Sequence, residues 1–402
     1  MRGSALAMDK SANTNACHVC ASPNVTLIPE YAAFRRVTSD CKPWKPGGRL
    51  AVCGDCGCAQ AVLDHAWHND AKKIYDNYTI YHQSRGIEQS VFDPMSGQAM
   101  SRSARLLQRL QNEVPLLKAG RMMDIGCGNG ALLRAFSAMN SAWSLAGVEV
   151  NDRYRETVES VRGVERLFTC QPGEVPGRFH LISLMHALEH IPSPREFISR
   201  LSDKLEPDGL LLIQVPDCEA NPFMFLVADH ATHFFAPTLK AMVEGAGYRV
   251  AVAANDWVSK EITIVAQRRV GGAGRDAAQP VSVKPDVNAP GTVKQRLRWL
   301  SQQVEAARQL ASKGNFGLFG TSIAATWLFA ESGGNVRFFV DEDPHRAGGT
   351  CFDRPIFRPQ DAPPDSDVFI ALPSRMANGI KSRMEGAGAK ARFHAPPPLG
   401  PE

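Results

Sequence analysis

Residues 122–130 read MMDIGCGNG, and this stretch decides the fold. A short apolar run ends in Asp124, and a glycine-rich turn then opens onto residues 131–136, whose apolar spacing is helical. Glycine suits such a turn because it adopts positive φ angles and lets a ligand approach bare backbone. The stretch therefore predicts a strand, a tight loop and the start of a helix, an arrangement that many nucleotide-binding sites share.

Two later stretches strengthen this interpretation. Residues 144–149 predict a second strand that ends in Glu149, and an acidic side chain at that point can accept hydrogen bonds from both hydroxyls of an adenosine ribose. Residues 180–185 predict a buried strand, and HALEHIP follows at its carboxyl end as residues 186–192. Strands that alternate with helices in this way predict a mostly parallel sheet covered on both faces.

Together these motifs resemble the class I S-adenosylmethionine-dependent methyltransferases. That family has an acidic residue before a GxGxG loop, an acidic end to the second strand, and often an LEHI-P segment after the fourth. The resemblance covers roughly residues 104–268 and implies a Rossmann-like α/β domain with S-adenosylmethionine as cofactor. An NAD-type domain, the alternative, would require G-x-G-x-x-G, and the loop does not have that spacing. The residues implied to bind the cofactor are Asp124, Gly126, Cys127, Gly128, Gly130, Glu149, Val150, Cys170, His186 and Glu189.

Composition limits the remaining classes of function. A chain of 402 residues predicts two or three domains, and 45 Lys and Arg against 41 Asp and Glu give a net charge of +4. That balance argues against partners such as nucleic acid or a membrane surface. The sequence has no apolar run near the length of a membrane-spanning helix, and residues 1–16 lack the apolar core of a secretory signal. We therefore expect a cytoplasmic protein whose 10 cysteines are reduced thiols, some of them metal ligands.

Two C-x-x-C pairs predict a metal site in the N-terminal part. The pairs are Cys17 with Cys20 and Cys53 with Cys56, and paired knuckles of this kind hold tetrahedral Zn²⁺. Four thiolates leave no open coordination position, so the zinc would be structural. The alternative is a set of buried thiols without metal, and further candidate ligands are Cys41, Cys58 and His18.

Two polar stretches are candidates for the chemistry. Residues 74–82 are dense in aromatics, and Tyr78 or Tyr81 would donate hydrogen bonds in a substrate cleft unless the stretch is a domain-interface patch. Residues 229–235 follow a predicted buried strand and carry His230 and His233. An imidazole there would be a general base that titrates near neutral pH, and the alternative is a pair of structural histidines.

Changes in composition predict the domain organisation. We expect a disordered tail over residues 1–16, a zinc-binding module over 17–85, a methyltransferase domain over 86–270, a linker over 271–291 and a smaller Rossmann-like α/β domain over 292–402. In the last of these, the turn at residues 320–322 meets a predicted helix N-terminus and is a candidate anion site.

Two expectations concern single elements of the central domain. Apolar residues from Leu106 to Leu117 predict a helix over residues 101–118 with Leu117 on its buried face. Pro207-Asp208-Gly209 predicts a turn that leads into a buried strand over residues 210–215.

The order of these parts resembles the nucleotide-sugar C-methyltransferases of deoxysugar pathways. The shared motifs are the two C-x-x-C pairs, a Y-x-x-Y stretch, the GxGxG loop, a Glu-His pair after the last central strand, and G-x-S followed by V-D-E-D-P. The resemblance implies that a histidine removes the proton beside a sugar ketone while a tyrosine helps to hold the enolate. His230 matches that histidine, Asp229 replaces the glutamate, and Tyr78 and Tyr81 match loosely.

The resemblance also implies a nucleotide sugar as the small-molecule substrate. Two alternatives are an O-methyltransferase for a saccharide or another small metabolite, and a non-catalytic zinc-binding scaffold or sensor. The intact Asp124, glycine loop and Glu149 argue against the scaffold.

Overall fold

The computed structural model describes residues 16–92, 99–269 and 289–399. The predicted tail, apart from Ala16, and most of the predicted linker therefore lie outside the described residues. Among the described residues, no helix combines the length and the apolar character needed to cross a bilayer.

The N-terminal part consists of short strands and one helix, because proline, glycine and the cysteine knuckles interrupt its chain. Strand β4 pairs antiparallel with both β1 and β5, and the Asp64 carboxylate caps the helix by accepting a hydrogen bond from the Trp67 backbone N–H. The elements are β1 (Val25–Leu27), β2 (Arg36–Val37), β3 (Pro43–Trp44), β4 (Leu50–Cys53), β5 (Ala59–Ala61) and α1 (His65–Asp76).

A hairpin and a helix lead into the central domain: β6 (Ser90–Phe92), β7 (Ala99–Ser101) and α2 (Arg102–Glu113). The predicted helix over residues 101–118 was too long. Val114 is extended because the following Pro115 disfavours helical backbone before it, so the helix ends at Glu113. Leu117 consequently lies beyond the helix with 54% of its surface exposed, and its predicted burial was wrong.

The central domain is a seven-stranded sheet in the order β10-β9-β8-β11-β12-β15-β14, in which neighbouring strands are parallel except where β15 pairs. This arrangement confirms the predicted α/β class. Its elements, with one short strand outside the sheet, are β8 (Arg121–Ile125), α3 (Ala131–Met139), β9 (Ser144–Val148), α4 (Arg155–Glu159), β10 (Val164–Phe168), β11 (Phe179–Met185), α5 (Pro194–Leu201), β12 (Leu205–Pro216), β13 (Thr232–His233), α6 (Ala236–Gly245), β14 (Tyr248–Ala254) and β15 (Glu261–Arg268).

The turn expected at Pro207-Asp208-Gly209 is an irregularity inside β12. Phe179 pairs with Leu205 and Leu181 pairs with Leu210, so additional residues of β12 bulge between the two pairs. A bulge accommodates proline and glycine because it leaves ladder positions unpaired.

The C-terminal part is a second, smaller α/β unit with strand order β18-β19-β17-β16-β20-β21, parallel except for β18. Its first helix includes residues 289–291, which were predicted as linker. The elements are α7 (Ala289–Ala311), β16 (Phe316–Phe319), α8 (Ile323–Glu331), β17 (Phe338–Val340), β18 (Thr350–Cys351), β19 (Arg354–Phe357), β20 (Asp367–Ile370), α9 (Ser374–Gly386) and β21 (Arg392–His394).

The N-terminal, central and C-terminal parts of the chain pack against one another. Strand β13 of the central part pairs with β5 of the N-terminal part, and the Tyr31 hydroxyl donates a 2.6 Å hydrogen bond to the Phe225 carbonyl. One hydrophobic cluster combines buried residues of all three parts, among them Tyr31, Val37, Phe223, Phe225, Leu297 and Trp327. This packing holds N-terminal and C-terminal segments against the carboxyl ends of the central strands.

Candidate active site

The loop between β8 and α3 has the backbone that its glycines predict. Gly126, Gly128 and Gly130 have φ angles of 73°, 54° and 80°, in the left-handed region that favours glycine. A Cβ at Gly126 would lie 2.8 Å from the Cβ of Ala187, and one at Gly128 would overlap the Ile80 side chain. The loop therefore presents bare backbone at the edge of the sheet.

Two acidic side chains flank this loop. Asp124 is buried in β8 and accepts a 2.7 Å hydrogen bond from the Ser183 hydroxyl, and burial raises its pKa to about 7. Glu149 directly follows β9, accepts a 3.2 Å hydrogen bond from the Val150 N–H, and has its pKa raised by burial to about 7. Neither carboxyl group has an ion-pair partner within the described part of the chain, and each would gain from hydrogen-bond donors on a ligand.

A cavity of about 1450 Å³ opens beside the loop. Of the predicted cofactor residues, those that line it are Asp124, Gly126, Cys127, Gly128, Glu149, Val150, His186 and Glu189. Gly130 precedes α3 behind the loop, and Gln171 rather than its neighbour Cys170 lines the wall. The structure thus brings most of the predicted cofactor residues to one cavity and leaves Gly130 and Cys170 outside its lining.

The segment after β11 forms a buried polar network. Arg102 donates a 2.6 Å hydrogen bond to Nε2 of His186, which places the proton of this imidazole on Nδ1, 3.4 Å from the Glu189 carboxylate. The same Nε2 lies 3.3 Å from the Glu261 carboxylate. Burial, reinforced by Arg102, lowers the pKa of His186 well below its usual value.

Glu189 is the most isolated carboxylate of the cavity. It is 1% exposed, and neither of its oxygens has a hydrogen-bond partner among the described residues. Burial consequently raises its pKa well above the usual value. An unpartnered carboxylate in such a position is unfavourable unless a ligand pairs with it.

His190 and Asp229 form a pair tied to the N-terminal part. The fully buried Asp229 carboxylate accepts hydrogen bonds from the Ser39 N–H at 2.9 Å and the Ser39 hydroxyl at 2.5 Å. Nδ1 of His190 lies 3.0 Å from the Asp229 carbonyl and 3.4 Å from its carboxylate, so this nitrogen carries the proton. Asp229 therefore orients His190, whereas the sequence suggested that it would serve the adjacent His230.

The two histidines predicted as candidate bases lie in different environments. His230 is 5% exposed and lines the cavity, with its ring centroid 4.8 Å from that of His190. Burial and the neighbouring imidazoles lower its pKa well below the usual value, so it is neutral at pH 7. His233 pairs in β13 with Ala59, lies outside the cavity lining, and has its pKa lowered by burial to about 3.

The predicted tyrosines lie on the opposite wall. Tyr78 and Tyr81 both line the cavity, and so does Tyr75, whose ring centroid is 6.1 Å from that of His190. Burial raises the pKa of Tyr81 to about 12 and that of Tyr78 well above its usual value. All of these hydroxyls therefore stay protonated at neutral pH and are available as hydrogen-bond donors.

The far end of the cavity is cationic and belongs to the C-terminal part. Ser322 and Ile323, at the N-terminus of α8, line it together with Arg346 and Lys260. Arg346 is 7% exposed, donates a 3.0 Å hydrogen bond to the Thr321 hydroxyl, and lies 3.6 Å from the Asp341 carboxylate and 3.8 Å from the Asp343 carboxylate. The predicted anion site thus opens into the same cavity as the glycine loop.

The N-terminal cysteines converge away from this cavity. Sulfur atoms of Cys17, Cys20, Cys53 and Cys56 all lie within 4.8 Å of one another, which suits a single tetrahedral ion after small adjustments. Cys58 contacts the Ala59 carbonyl, Cys41 lines the cavity, and His18 bonds the Thr232 hydroxyl at 3.0 Å. The structure therefore places Cys41 and His18 apart from the predicted quartet, whereas Cys58 remains beside Cys17.

Several residues of the cavity were not predicted as site residues. His190 had a signal, because it stands in the HALEHIP segment beside Glu189. Arg102, Glu261 and Arg346 come from segments far apart in the chain and had none, since only the folded chain brings them to one cavity.

Comparison with known proteins relates the central part of the chain to methyltransferases. Residues 96–252 match the family described as "Methyltransferase domain". The chain is 24% identical over 118 residues to the ubiquinone biosynthesis O-methyltransferase of Coxiella burnetii, covering 28% of this chain and 50% of that protein. For the Xanthomonas campestris pv. campestris enzyme of the same description the figures are 29% over 133 residues, with 31% and 53% covered. The chain thus spans about half the length of the curated relatives it matches.

Among solved structures, a methyltransferase of Clostridium acetobutylicum aligns with a TM-score of 0.35 and 10% identity, over 50% of this chain and 99% of that chain. The 1,6-didemethyltoxoflavin-N1-methyltransferase of Burkholderia thailandensis aligns with a TM-score of 0.37 and 19% identity, over 53% and 96%. The family match includes strands β8 to β12, the glycine loop and the acidic residue after β9. Residues 96–252 are therefore similar to the methyltransferase domain family, and they lie in an α/β part of the chain with a Rossmann-like sheet.

Proposed function

We propose that the protein transfers a methyl group from S-adenosylmethionine to a carbon atom of a nucleotide-linked keto-deoxysugar, with His230 as the general base. The observation that carries this proposal is the continuity of one cavity. It runs from the glycine loop past His230 and the tyrosines to the cationic end at α8. Its volume of about 1450 Å³ exceeds the usual range for a single small ligand and suits a cofactor together with a large substrate.

The cofactor end fits S-adenosylmethionine. The loop at Gly126 and Gly128 has no side chains to obstruct a ligand, and Glu149 holds a carboxylate where ribose hydroxyls would donate to it. When bound, S-adenosylmethionine supplies an electrophilic methyl group. The residues at this end of the cavity would bind the cofactor and orient it.

The middle of the cavity suits removal of a proton beside a ketone. Neutral His230 has a lone pair at pH 7 that can accept such a proton. His190, fixed by Asp229 and Ser39, holds one wall of the pocket around that ring. Protonated tyrosine hydroxyls at Tyr78 and Tyr81 can donate hydrogen bonds to the oxyanion of the enolate.

The far end of the cavity favours a substrate that carries a nucleoside diphosphate. The backbone N–H groups at the start of α8 could bind an anion, and the Arg346 guanidinium, held by Asp341 and Asp343, lines the same end of the cavity. Lys260 and His82 line the same region. A diphosphate bound there would leave its sugar extending toward His230.

The four-cysteine cluster supports a structural Zn²⁺. Four thiolates complete a tetrahedral shell, so the ion would stabilise the N-terminal part and take no part in the reaction.

A first experiment is a crystal structure with S-adenosylhomocysteine and thymidine diphosphate. We expect the diphosphate between the start of α8 and Arg346, with its free end facing His230. If the cofactor product binds and the diphosphate does not, the nucleotide-sugar assignment is wrong while the methyltransferase assignment stands.

A second experiment tests the base. His230→Ala should lower the turnover rate by about 10²-fold or more while cofactor affinity is unchanged, because a positioned base contributes that much to proton transfer. His394→Ala is the matched control, since this ring bonds Asp367 in the C-terminal part, outside the cavity lining. Normal turnover of His230→Ala would exclude the assigned role.

A second candidate is methyl transfer to oxygen, favoured by the O-methyltransferase descriptions of the matched relatives. The same base would then remove a hydroxyl proton. NMR of the product distinguishes the two, because a methyl group on carbon and one on oxygen have different carbon shifts.

A further inference from the structure

The cavity contains a compact set of metal-ligating side chains besides the cysteines. One ligand atom from each of Glu189, His190 and His230 lies within 4.8 Å of the other two. All three residues line the cavity, and both oxygens of Glu189 lack hydrogen-bond partners among the described residues although the side chain is 1% exposed. Glu189 lies 3.4 Å from Nδ1 of His186 but forms no hydrogen bond among the described residues, and a cation between it and the other two imidazoles would satisfy this buried carboxylate.

The geometry around His190 supports this interpretation. Its Nδ1 is engaged by the carbonyl and carboxylate of Asp229 at 3.0 and 3.4 Å, so Nε2 is the ring nitrogen that could coordinate an ion. Metal-bound histidines usually donate their other ring N–H to a carboxylate or a carbonyl in this way. The Ser39 hydrogen bonds to Asp229 in turn fix the supporting carboxylate.

Distances and charge are compatible with an ion. Nitrogen and oxygen ligands bound at about 2.1 Å lie roughly 3–4 Å apart, so side-chain adjustments of about 1 Å would close the group. Around the group, the carboxylates of Asp229 and Glu261 add negative charge, and Arg102 and Lys260 are the cations that oppose it.

We propose that Glu189, His190 and His230 form a second metal site, which binds a divalent transition-metal ion such as Zn²⁺, Co²⁺ or Ni²⁺. Imidazole ligands favour these ions over Mg²⁺ and Ca²⁺. Three protein ligands leave one or more positions open toward the cavity, where water or an oxygen of a small-molecule substrate would complete the shell.

One consequence rests on the proposed function. An imidazole bound to a metal has no lone pair for a proton, so an ion in this site and general-base action by His230 exclude each other. Added transition metal is therefore expected to inhibit methyl transfer, and a chelator is expected to relieve the inhibition.

The site is tested by binding, without substrate. The full-length protein, loaded with zinc in its cysteine cluster, is titrated with Co²⁺, desalted and analysed for metal. We expect one cobalt ion per chain beyond the zinc, with a visible absorption spectrum that lacks thiolate charge-transfer bands. Glu189→Gln and His190→Ala should each weaken cobalt binding by at least about 10-fold.

His82→Ala is the matched control, because this histidine lines the same cavity outside the group and should leave cobalt binding unchanged. Circular dichroism verifies that the variants fold, and His230→Gln provides a third variant if either of the others unfolds. The proposal is overturned if the wild-type protein binds no additional ion, or if the variants bind cobalt as tightly as the wild type. Because no turnover is measured, this result does not depend on whether the methyl acceptor is a sugar.

Discussion

At the scale of single residues, burial shifts the pKa values of the titratable side chains in the cavity. Asp124, Glu149 and Glu261 each have their pKa raised to about 7 by burial, and His230 has its pKa lowered well below the usual value by the same cause. Both directions favour the uncharged form. A ligand that brings hydrogen-bond donors or positive charge would therefore favour the ionised form of these carboxyl groups.

A pH dependence of cofactor binding follows for Glu149. Because its folded pKa of about 7 lies above the usual 4.5, its contribution to stability is lost as the pH rises from about 4.5 to about 7. Ribose hydroxyls favour the carboxylate, so binding releases protons, and affinity for S-adenosylhomocysteine should rise about tenfold from about pH 6 to about pH 8.

Calorimetry in two buffers with different heats of ionisation measures this proton release. Glu149→Gln should bind more weakly and show a smaller pH dependence. Equal proton release by the wild type and Glu149→Gln would contradict the assignment.

A second prediction at this scale concerns Ser39. Ser39→Ala removes the hydroxyl that donates to the buried Asp229 and so loosens the support of His190. A fall in turnover with unchanged S-adenosylhomocysteine affinity is expected, because Ser39 lies on the substrate side of the cavity. Ser160→Ala removes an exposed hydroxyl that bonds the Thr157 carbonyl, and it serves as the matched control. If both variants turn over alike, the Ser39–Asp229 contact has no role in positioning.

At the scale of elements, the loop between β8 and α3 is defined by local sequence. Its three glycines have the positive φ angles that their spacing predicts, and the strand before them and the helix after them are found where expected. The helix over residues 101–118 and the turn at 207–209 were less well predicted. The helix ends early because a proline follows Val114. Residues 207–209 lie within β12 because that strand pairs with β11 on both sides of them.

Gly128→Val tests the loop. A side chain there would overlap Ile80 and adopt a φ of 54°, so it should obstruct the cofactor and lower S-adenosylhomocysteine affinity by at least about 10-fold, a loss of about 1.4 kcal/mol of binding free energy. Gly173→Ala is the control, because an added Cβ at that position meets no atom within 4 Å. Calorimetry and thermal unfolding together separate lost binding from lost folding. Unchanged affinity in Gly128→Val would show that the loop does not contact the cofactor.

At the scale of the whole molecule, the N-terminal part is not an independent appendage. Its cysteine cluster packs in one hydrophobic cluster with residues of the central sheet, and β5 pairs with β13 just beyond Asp229 and His230. Loss of the proposed zinc should therefore loosen the wall of the cavity as well as the knuckles.

Metal analysis tests that coupling. The purified protein should contain about one zinc ion per chain in the cysteine cluster. Cys53→Ser should lose this ion and melt at a clearly lower temperature, because a structural zinc site contributes directly to folding free energy. Cys170→Ser is the control, since Cys170 is half-buried and lies outside the cluster. A Cys53→Ser protein with full zinc content and an unchanged melting temperature would remove the zinc assignment.

The sequence by itself determined the features that depend on short-range spacing. These are the strand, glycine loop and helix at residues 121–139, the acidic end of β9, and the two C-x-x-C pairs. Each of these features involves residues only a few positions apart. Those residues are restricted by the backbone conformation of a turn or by the geometry of metal ligands.

Only the tertiary structure decided which side chains share the cavity. In the folded chain, His230 lines the cavity, whereas His233 lies in β13, which pairs with β5. The Asp229 carboxylate contacts His190 and Ser39. The tertiary structure also brought Arg102 and Arg346 to the same cavity. These contacts join segments that are far apart in the chain, so they are set by sheet order and core packing, which local residue patterns do not specify.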